Sequence, residues 1–212
     1  MRKTTSTRRL FGLCYALAVI LWVVFCLGRC AVMLVNKANG TMPQTTLTAA
    51  DLRFESFENY QDLEWDTPPD DDPDWFLSTD NDPHILYDGG GYIETVRLYA
   101  KHRLPPGSVT LYYLLPGQTD YSEAQKVFAR VAEPGVYEFD LGGITVAGLR
   151  IDPDSVGGVA TLFTGVQLNP PRFWLLRFVP SAGQLLLLLA LPSCAAAAFA
   201  LVRGRRQPEA ER

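Results

Sequence analysis

Oxygen donors crowd most densely between residues 70 and 82, where Asp70, Asp71, Asp72 and Asp74 are followed by Asp80-Asn81-Asp82. Hard carboxylate oxygens suit Ca²⁺, which takes roughly six to eight of them, so Asp70, Asp72, Asp80 and Asp82 are candidate ligands for a structural calcium ion. EF-hand spacing is absent, and the competing reading is a solvated acidic loop with Asx turns, for which Asp82-Pro83 is a natural site. No other cofactor is expected. Trp65 and Trp75 flank the same loop. A pyranose lays its C–H face on such rings, and the gain comes from apolar burial. Trp65, Trp75, Asp80, Asn81, Asp82 and His84 therefore form a candidate recognition loop. Arg150 joins them as a ligand-binding candidate from Leu149-Arg-Ile-Asp-Pro153. Arg150 and Asp152 are two residues apart and so share one face of a strand. The plainer reading makes Arg150 a framework residue paired with a nearby carboxylate.

Catalytic chemistry is sparsely provided for. The chain has two histidines, His84 and His102, and lacks G-x-S-x-G, H-E-x-x-H and phosphate-loop motifs. A glycoside hydrolase needs two singled-out carboxylates, and nothing in the sequence singles out two. The expectation is a protein that is not an enzyme, with a membrane-tethered glycoside hydrolase as a remote alternative.

The elements that must hold these residues are of two kinds. From Leu10 the chain reads LFGLCYALAVILWVVFCLG, and from Ala182 AGQLLLLLALPSCAAAAFALV, each free of charge and long enough for an α-helix to cross a bilayer. A cleaved signal peptide is the other reading of the first run, but the run exceeds a signal's apolar region and no small-x-small site follows promptly. Arg2, Lys3, Arg8 and Arg9 precede the first run, and Arg203, Arg205, Arg206 and Arg212 follow the second. The positive-inside rule then places both termini in the cytoplasm and the middle outside. All four cysteines (Cys14, Cys26, Cys30, Cys194) lie in or beside these runs and read as small apolar residues. The segment 36–172 carries 21 of the chain's 23 carboxylates and 9 of its 19 Lys and Arg, a field that disfavours nucleic acid.

That middle segment alternates in short apolar stretches broken by Pro, Gly and Asp, the pattern of an all-β domain. Strands are expected over 52–57, 75–78, 84–87, 92–102, 109–115, 126–131, 136–141, 145–151 and 159–168, with turns at Asp88-Gly-Gly-Gly91, Glu133-Pro-Gly135, Gly142-Gly143 and Gly157-Gly158. The favoured fold is an antiparallel jelly-roll sandwich flanked by two transmembrane α-helices. The order Ser78-Thr-Asp-Asn-Asp-Pro-His-Ile85, Leu111-Tyr-Tyr113, Val136-Tyr-Glu-Phe-Asp-Leu141 and Leu149-Arg-Ile-Asp-Pro153 resembles the extracytoplasmic, galactose-binding-like jelly-roll β-sandwich of bacterial membrane proteins of surface-polysaccharide assembly. Those proteins continue into many transmembrane helices, whereas here one further span follows the sandwich.

The resulting division is a basic N-terminus (1–9), a first transmembrane helix (10–35), a connector (36–51), an extracytoplasmic β-sandwich (52–172), an interfacial segment with a second transmembrane helix (173–202) and a basic tail (203–212). The resemblance implies a non-catalytic recognition or accessory protein of the cell envelope. Its expected partners are the membrane, a surface glycan and a multipass glycan-assembly protein. The alternative from another class is a structural subunit that binds only protein.

Overall fold

The structure, a computed structural model, describes residues 3–60 and 74–205. Trp65, Asp70 and Asp72 lie outside the described residues. The chain divides into two compact units, one of residues 33–171 and one built from the two long helices and the segment leading into the second.

In the helical unit, α1 (Lys3–Ala38) and α2 (Ala182–Arg205) are long and apolar enough to cross a membrane, with mean hydropathies of 2.7 over Arg8–Ala38 and 2.5 over Ala182–Val202. Leu13, Leu17, Leu21 and Phe25 on α1 and Leu186, Leu189 and Leu191 on α2 leave their side chains largely uncovered by protein. Pro192 lies inside α2 and has no N–H, so the carbonyl of Leu188 loses its usual donor. Beside this point a polar clasp joins the helices. Tyr15 donates its hydroxyl to the Leu189 carbonyl at 3.0 Å and lies 2.6 Å from Ser193 Oγ, which also bonds Leu189 O at 2.9 Å.

The other unit is a sandwich of two antiparallel sheets. Its strands are β1 (Thr45–Leu47), β2 (Arg53–Glu55), β3 (Phe57–Asn59), β4 (Trp75–Ser78), β5 (His84–Tyr87), β6 (Gly91–His102), β7 (Thr110–Leu114), β8 (Lys126–Phe128), β9 (Arg130–Glu133), β10 (Val136–Val146), β11 (Gly148–Asp152) and β12 (Ala160–Leu168). The seven-stranded sheet has the order β3-β4-β12-β6-β10-β9, with β1 also paired to β12. The five-stranded sheet has the order β2-β5-β11-β7-β8. Side chains alternate across each strand, so one face of each sheet meets the other in a shared core. The five-stranded sheet contributes Ile85, Ile151, Leu111 and Leu149, and the seven-stranded sheet Val96, Leu98, Phe139, Phe163 and Leu168. Phe54 stacks on Phe76 at 4.5 Å between ring centroids and meets Phe163 edge-on at 5.3 Å, closing one side of this core.

Four expected strands are redrawn. The segment 52–57 breaks in two at Ser56, whose φ of 62° is incompatible with a continuing strand, and β2 and β3 join different sheets. The segments 136–141 and 145–151 do not end at Gly142-Gly143. Instead β10 runs through a bulge there, with its register against β6 shifting between Asp140 and Ile144. Gly143, at a φ of 86°, lies so close to the Tyr92 hydroxyl that a Cβ would collide with it. The segment 126–131 also splits, because Ala129 is where the chain leaves β8 in one sheet for β9 in the other. The expected connector contains β1, a short strand with too little apolar character to stand out.

At the end of β6, His102 is half-buried with its Nδ1 3.0 Å from the Tyr137 hydroxyl. Burial pulls its pKa below the ordinary histidine value, against the opposing pull of the Pro153 carbonyl and the Asp154 carboxylate. The unfolded chain therefore takes up a proton on His102 before the folded chain does. The sign follows: His102 favours folding above about pH 6.5, and that contribution is lost as pH falls toward its folded pKa. Thermal melts across this range are expected to show the midpoint falling with acidity more steeply in the native chain than in His102→Gln, and equal slopes would contradict the assignment.

Candidate ligand-binding face

The outward face of the five-stranded sheet gathers the polar residues that the strand alternation sends away from the core. Its register sets Arg53 opposite Leu86, Leu86 opposite Arg150, Arg150 opposite Tyr112 and Tyr112 opposite Lys126. A second row sets Glu55 opposite His84, and Asp152 opposite Thr110, which is opposite Phe128. The odd–even logic that puts Ile151 and Leu149 in the core thus puts Arg150 and Asp152 on this face.

Arg150 is the hub. Its Nε donates to Asp152 Oδ1 at 2.7 Å and its Nη2 to Asp152 Oδ2 at 2.9 Å, a two-pronged bond, while Nη2 also reaches Asp82 Oδ1 at 2.6 Å. The guanidinium carbon lies 4.9 Å from the centre of the Tyr112 ring. This flat fork satisfies two carboxylates at once, as a lysine could not. Burial pushes the Asp152 carboxyl above the ordinary aspartate value even though Arg150 pulls it down. Burial also acts to lower Arg150, but its hydrogen bonds and the charges of Asp152 and Asp82 outweigh that and leave it above the ordinary arginine value.

His84 stands between the same two carboxylates. Its Nδ1 is 3.5 Å from Asp152 Oδ1 and its Nε2 is 3.6 Å from Asp82 Oδ2, contacts longer than hydrogen bonds. Asp82, His84 and Asp152 together present one ligand atom each within 4.8 Å of one another, the group among the described residues with the spacing of a cation site. The calcium set inferred from sequence is not this one. Asp82 is shared, but Asp80 accepts from the Asp82 backbone N–H at 2.8 Å and from Ser56 Oγ at 2.8 Å, so it shapes the loop. These bonds, the backbone one first, hold the Asp80 carboxyl below the usual aspartate value. Asn81 is exposed beside it. The turn after β11 is anchored here by Gly157, at a φ of 69°, where a Cβ would lie 2.7 Å from the Asp80 backbone.

Of the sequence-predicted recognition residues, Asp82, His84 and Arg150 come together, and Asp80 and Asn81 lie in the adjoining loop. Trp75 does not join them. It is 6 % exposed and packs with Tyr60, Leu77 and Ala160 in a second small core, on the face of β4 opposite Phe76, which points into the main core. The aromatic rings of the face come instead from residues that sequence reasoning passed over or did not place here. Tyr112 donates its hydroxyl to Glu123 at 2.7 Å, and Tyr121 lies over Gly148. Phe128 is 66 % exposed. Burial raises the Tyr121 hydroxyl pKa, with the charge of Asp88 adding to it. The residues of the β7–β8 loop are separated from His84 by more than 30 positions, so only the fold brings them near it.

No family model matches the chain, and no curated protein matches it. Several solved structures are distantly similar. A module from a family 31 glycoside hydrolase of Clostridium perfringens is 19 % identical, with a TM-score of 0.35 over 59 % of this chain and 98 % of that one. A low-affinity xylan-binding module from Roseburia intestinalis is 12 % identical, with a TM-score of 0.37 over 60 % and 95 %. A fucose-binding module of Streptococcus pneumoniae is 12 % identical, with a TM-score of 0.36 over 46 % and 73 %. At these values the likeness is remote, and the face is defined by its own residues.

Proposed function

We propose that this chain is a non-catalytic, membrane-anchored recognition protein whose five-stranded sheet offers its outward face to a surface glycan. The observation that carries this reading is the continuity of two kinds of surface: the planar polar groups of Asp82, His84 and Arg150, and the rings of Tyr121 and Phe128, with Tyr112 buried beneath Arg150 and Lys126. Adjacent sugar hydroxyls pair with planar, rigidly held polar groups, and a neighbouring ring covers the sugar's apolar face. Arg150 holds Asp82 in place before any ligand arrives, which reduces the ordering cost of binding.

Two helices with uncovered apolar flanks support membrane anchoring, since such surface is costly in water. In this reading both termini are cytoplasmic and the sandwich is extracytoplasmic, of jelly-roll type. A multipass glycan-assembly protein is its proposed neighbour. Crosslinking in native membranes tests that association, and recovery of the chain alone would remove it.

Hydroxyl-radical footprinting of the full chain in nanodiscs, with and without a surface-polysaccharide preparation, tests the binding face. Tyr121 and Phe128 are expected to become protected. Protection confined to the seven-stranded sheet would overturn the assignment.

A further inference from the structure

The charges left open on this face define the class of sugar it takes, an inference that rests on the glycan-binding reading above. Arg150 is a cation by charge but not by availability: its side chain is 18 % exposed and its Nε and Nη2 are committed to Asp152 and Asp82. Lys126 is similarly retired, with Nζ 3.4 Å from Glu123 Oε2 and lying 5.0 Å and 5.5 Å from the Tyr112 and Phe128 ring centres. Arg53, on the edge strand of the same face, is 58 % exposed, but its guanidinium is paired with Glu55 and lies 3.8 Å from Asp88. The carboxylates, by contrast, are open. The side chains of Asp82 and Glu123 are 67 % and 78 % exposed.

A ligand approaching the polar end of the face thus meets acceptors and negative charge beside aromatic rings. Lys126 shows what chemistry that combination holds, because it is an ammonium seated against two rings and a carboxylate of the same face. Cation–π attraction and a charge-assisted hydrogen bond act together on such a group. Asp82 offers the same carboxylate chemistry outward, with Oδ1 bonded to Arg150 and Oδ2 directed toward His84 at a distance too long for a hydrogen bond. We infer that the face selects a glycan bearing protonated amines, a hexosamine polymer lacking its N-acetyl groups, over neutral and acidic glycans. A uronate or phosphorylated sugar would place like charge against Asp82 and Glu123, in a domain whose sequence is itself strongly acidic.

The test is calorimetric titration of the full chain in nanodiscs at pH 6 with three probes: a glucosamine tetramer, its fully N-acetylated counterpart and a galacturonate tetramer. The glucosamine tetramer is expected to bind about tenfold more tightly than the N-acetylated one, with the galacturonate silent, and about 0.5 M salt should erase the difference. Asp82→Asn keeps the side chain's shape while removing its charge, and is expected to bring the two hexosamine affinities within about twofold of each other. Equal or tighter binding of the N-acetylated or galacturonate probe would overturn the amine preference and leave the glycan reading standing. Silence of all three probes would also overturn it, and a wider glycan panel on the same nanodiscs would then show whether the glycan reading falls as well.

Discussion

Asn169→Ala is expected to destabilise the sandwich by about 4 kcal/mol, the summed cost of leaving several buried backbone groups unpaired in the folded state. Asn169 follows β12, is 2 % exposed, and is one of two non-glycine residues with positive φ among the described residues, at 49°. Its side chain acts as a three-way staple. Nδ2 donates to the Pro43 carbonyl at 2.8 Å and to the Tyr92 carbonyl at 2.9 Å, and Oδ1 accepts from the Glu94 N–H at 2.7 Å. Those groups belong to the segment before β1 and to the start of β6, so the side chain ties both to the end of β12. Asparagine tolerates the left-handed backbone better than alanine, which adds a smaller penalty. Asn169→Asp keeps the acceptor but sets a carboxylate oxygen against both carbonyls, and should be at least as damaging as the alanine variant at neutral pH. Equilibrium denaturation of the full chain in detergent gives the ordering. A loss below about 1 kcal/mol for the alanine variant would show that water replaces the staple.

Arg150→Ala is expected to cost about 3 kcal/mol at neutral pH, because it leaves Asp152 charged and nearly buried without a partner. The figure is set at the low end for a buried pair, since Asp82, the other partner, is open to solvent. The pH dependence follows from the direction of the Asp152 shift. Burial already raises its folded pKa, and removing the guanidinium raises it further. A carboxyl whose pKa is higher folded than unfolded costs stability when ionised, and the cost disappears as pH falls below the unfolded value. The defect of Arg150→Ala should therefore be largest near pH 7 and shrink steadily toward about pH 4. Replacing both residues, as in Arg150→Met with Asp152→Leu, should recover most of the loss. A defect that does not change with pH would mean that Arg150 acts through packing on Tyr112 alone.

What could be read from the sequence follows the reach of local physics. β4 and β5 have the bounds expected for them, because each is a short apolar stretch closed by Asp, Asn or Gly. The placement of Arg150 and Asp152 on one strand face was also legible, since alternation is a property of the strand alone. Two kinds of feature were not. Bulges and sheet crossings depend on single backbone positions: Ser56 looks like any strand serine until its positive φ is known, and Gly142-Gly143 reads as a turn although β10 passes through it. Long-range meetings were equally hidden. Asp82 and Arg150 are 68 residues apart, and neither says which carboxylate the arginine will take. The acidic loop drew notice for its density, yet its described part supplies one hub carboxylate, Asp82, while Asp80 folds the loop. Tryptophan drew notice as a stacking ring, but a second small core on the outer side of β4 buries Trp75 and leaves that role to Tyr121 and Phe128.

The most direct test of the central claim is a glycan panel probed with the full chain and with Asp82→Ala in nanodiscs. Asp82 is largely exposed, so its loss should leave the fold nearly as stable as before. The account predicts that the native chain retains a defined subset of glycans and that the variant loses at least about tenfold in affinity for them. Binding that survives in Asp82→Ala undiminished, or a native chain that retains none of the panel, would contradict it.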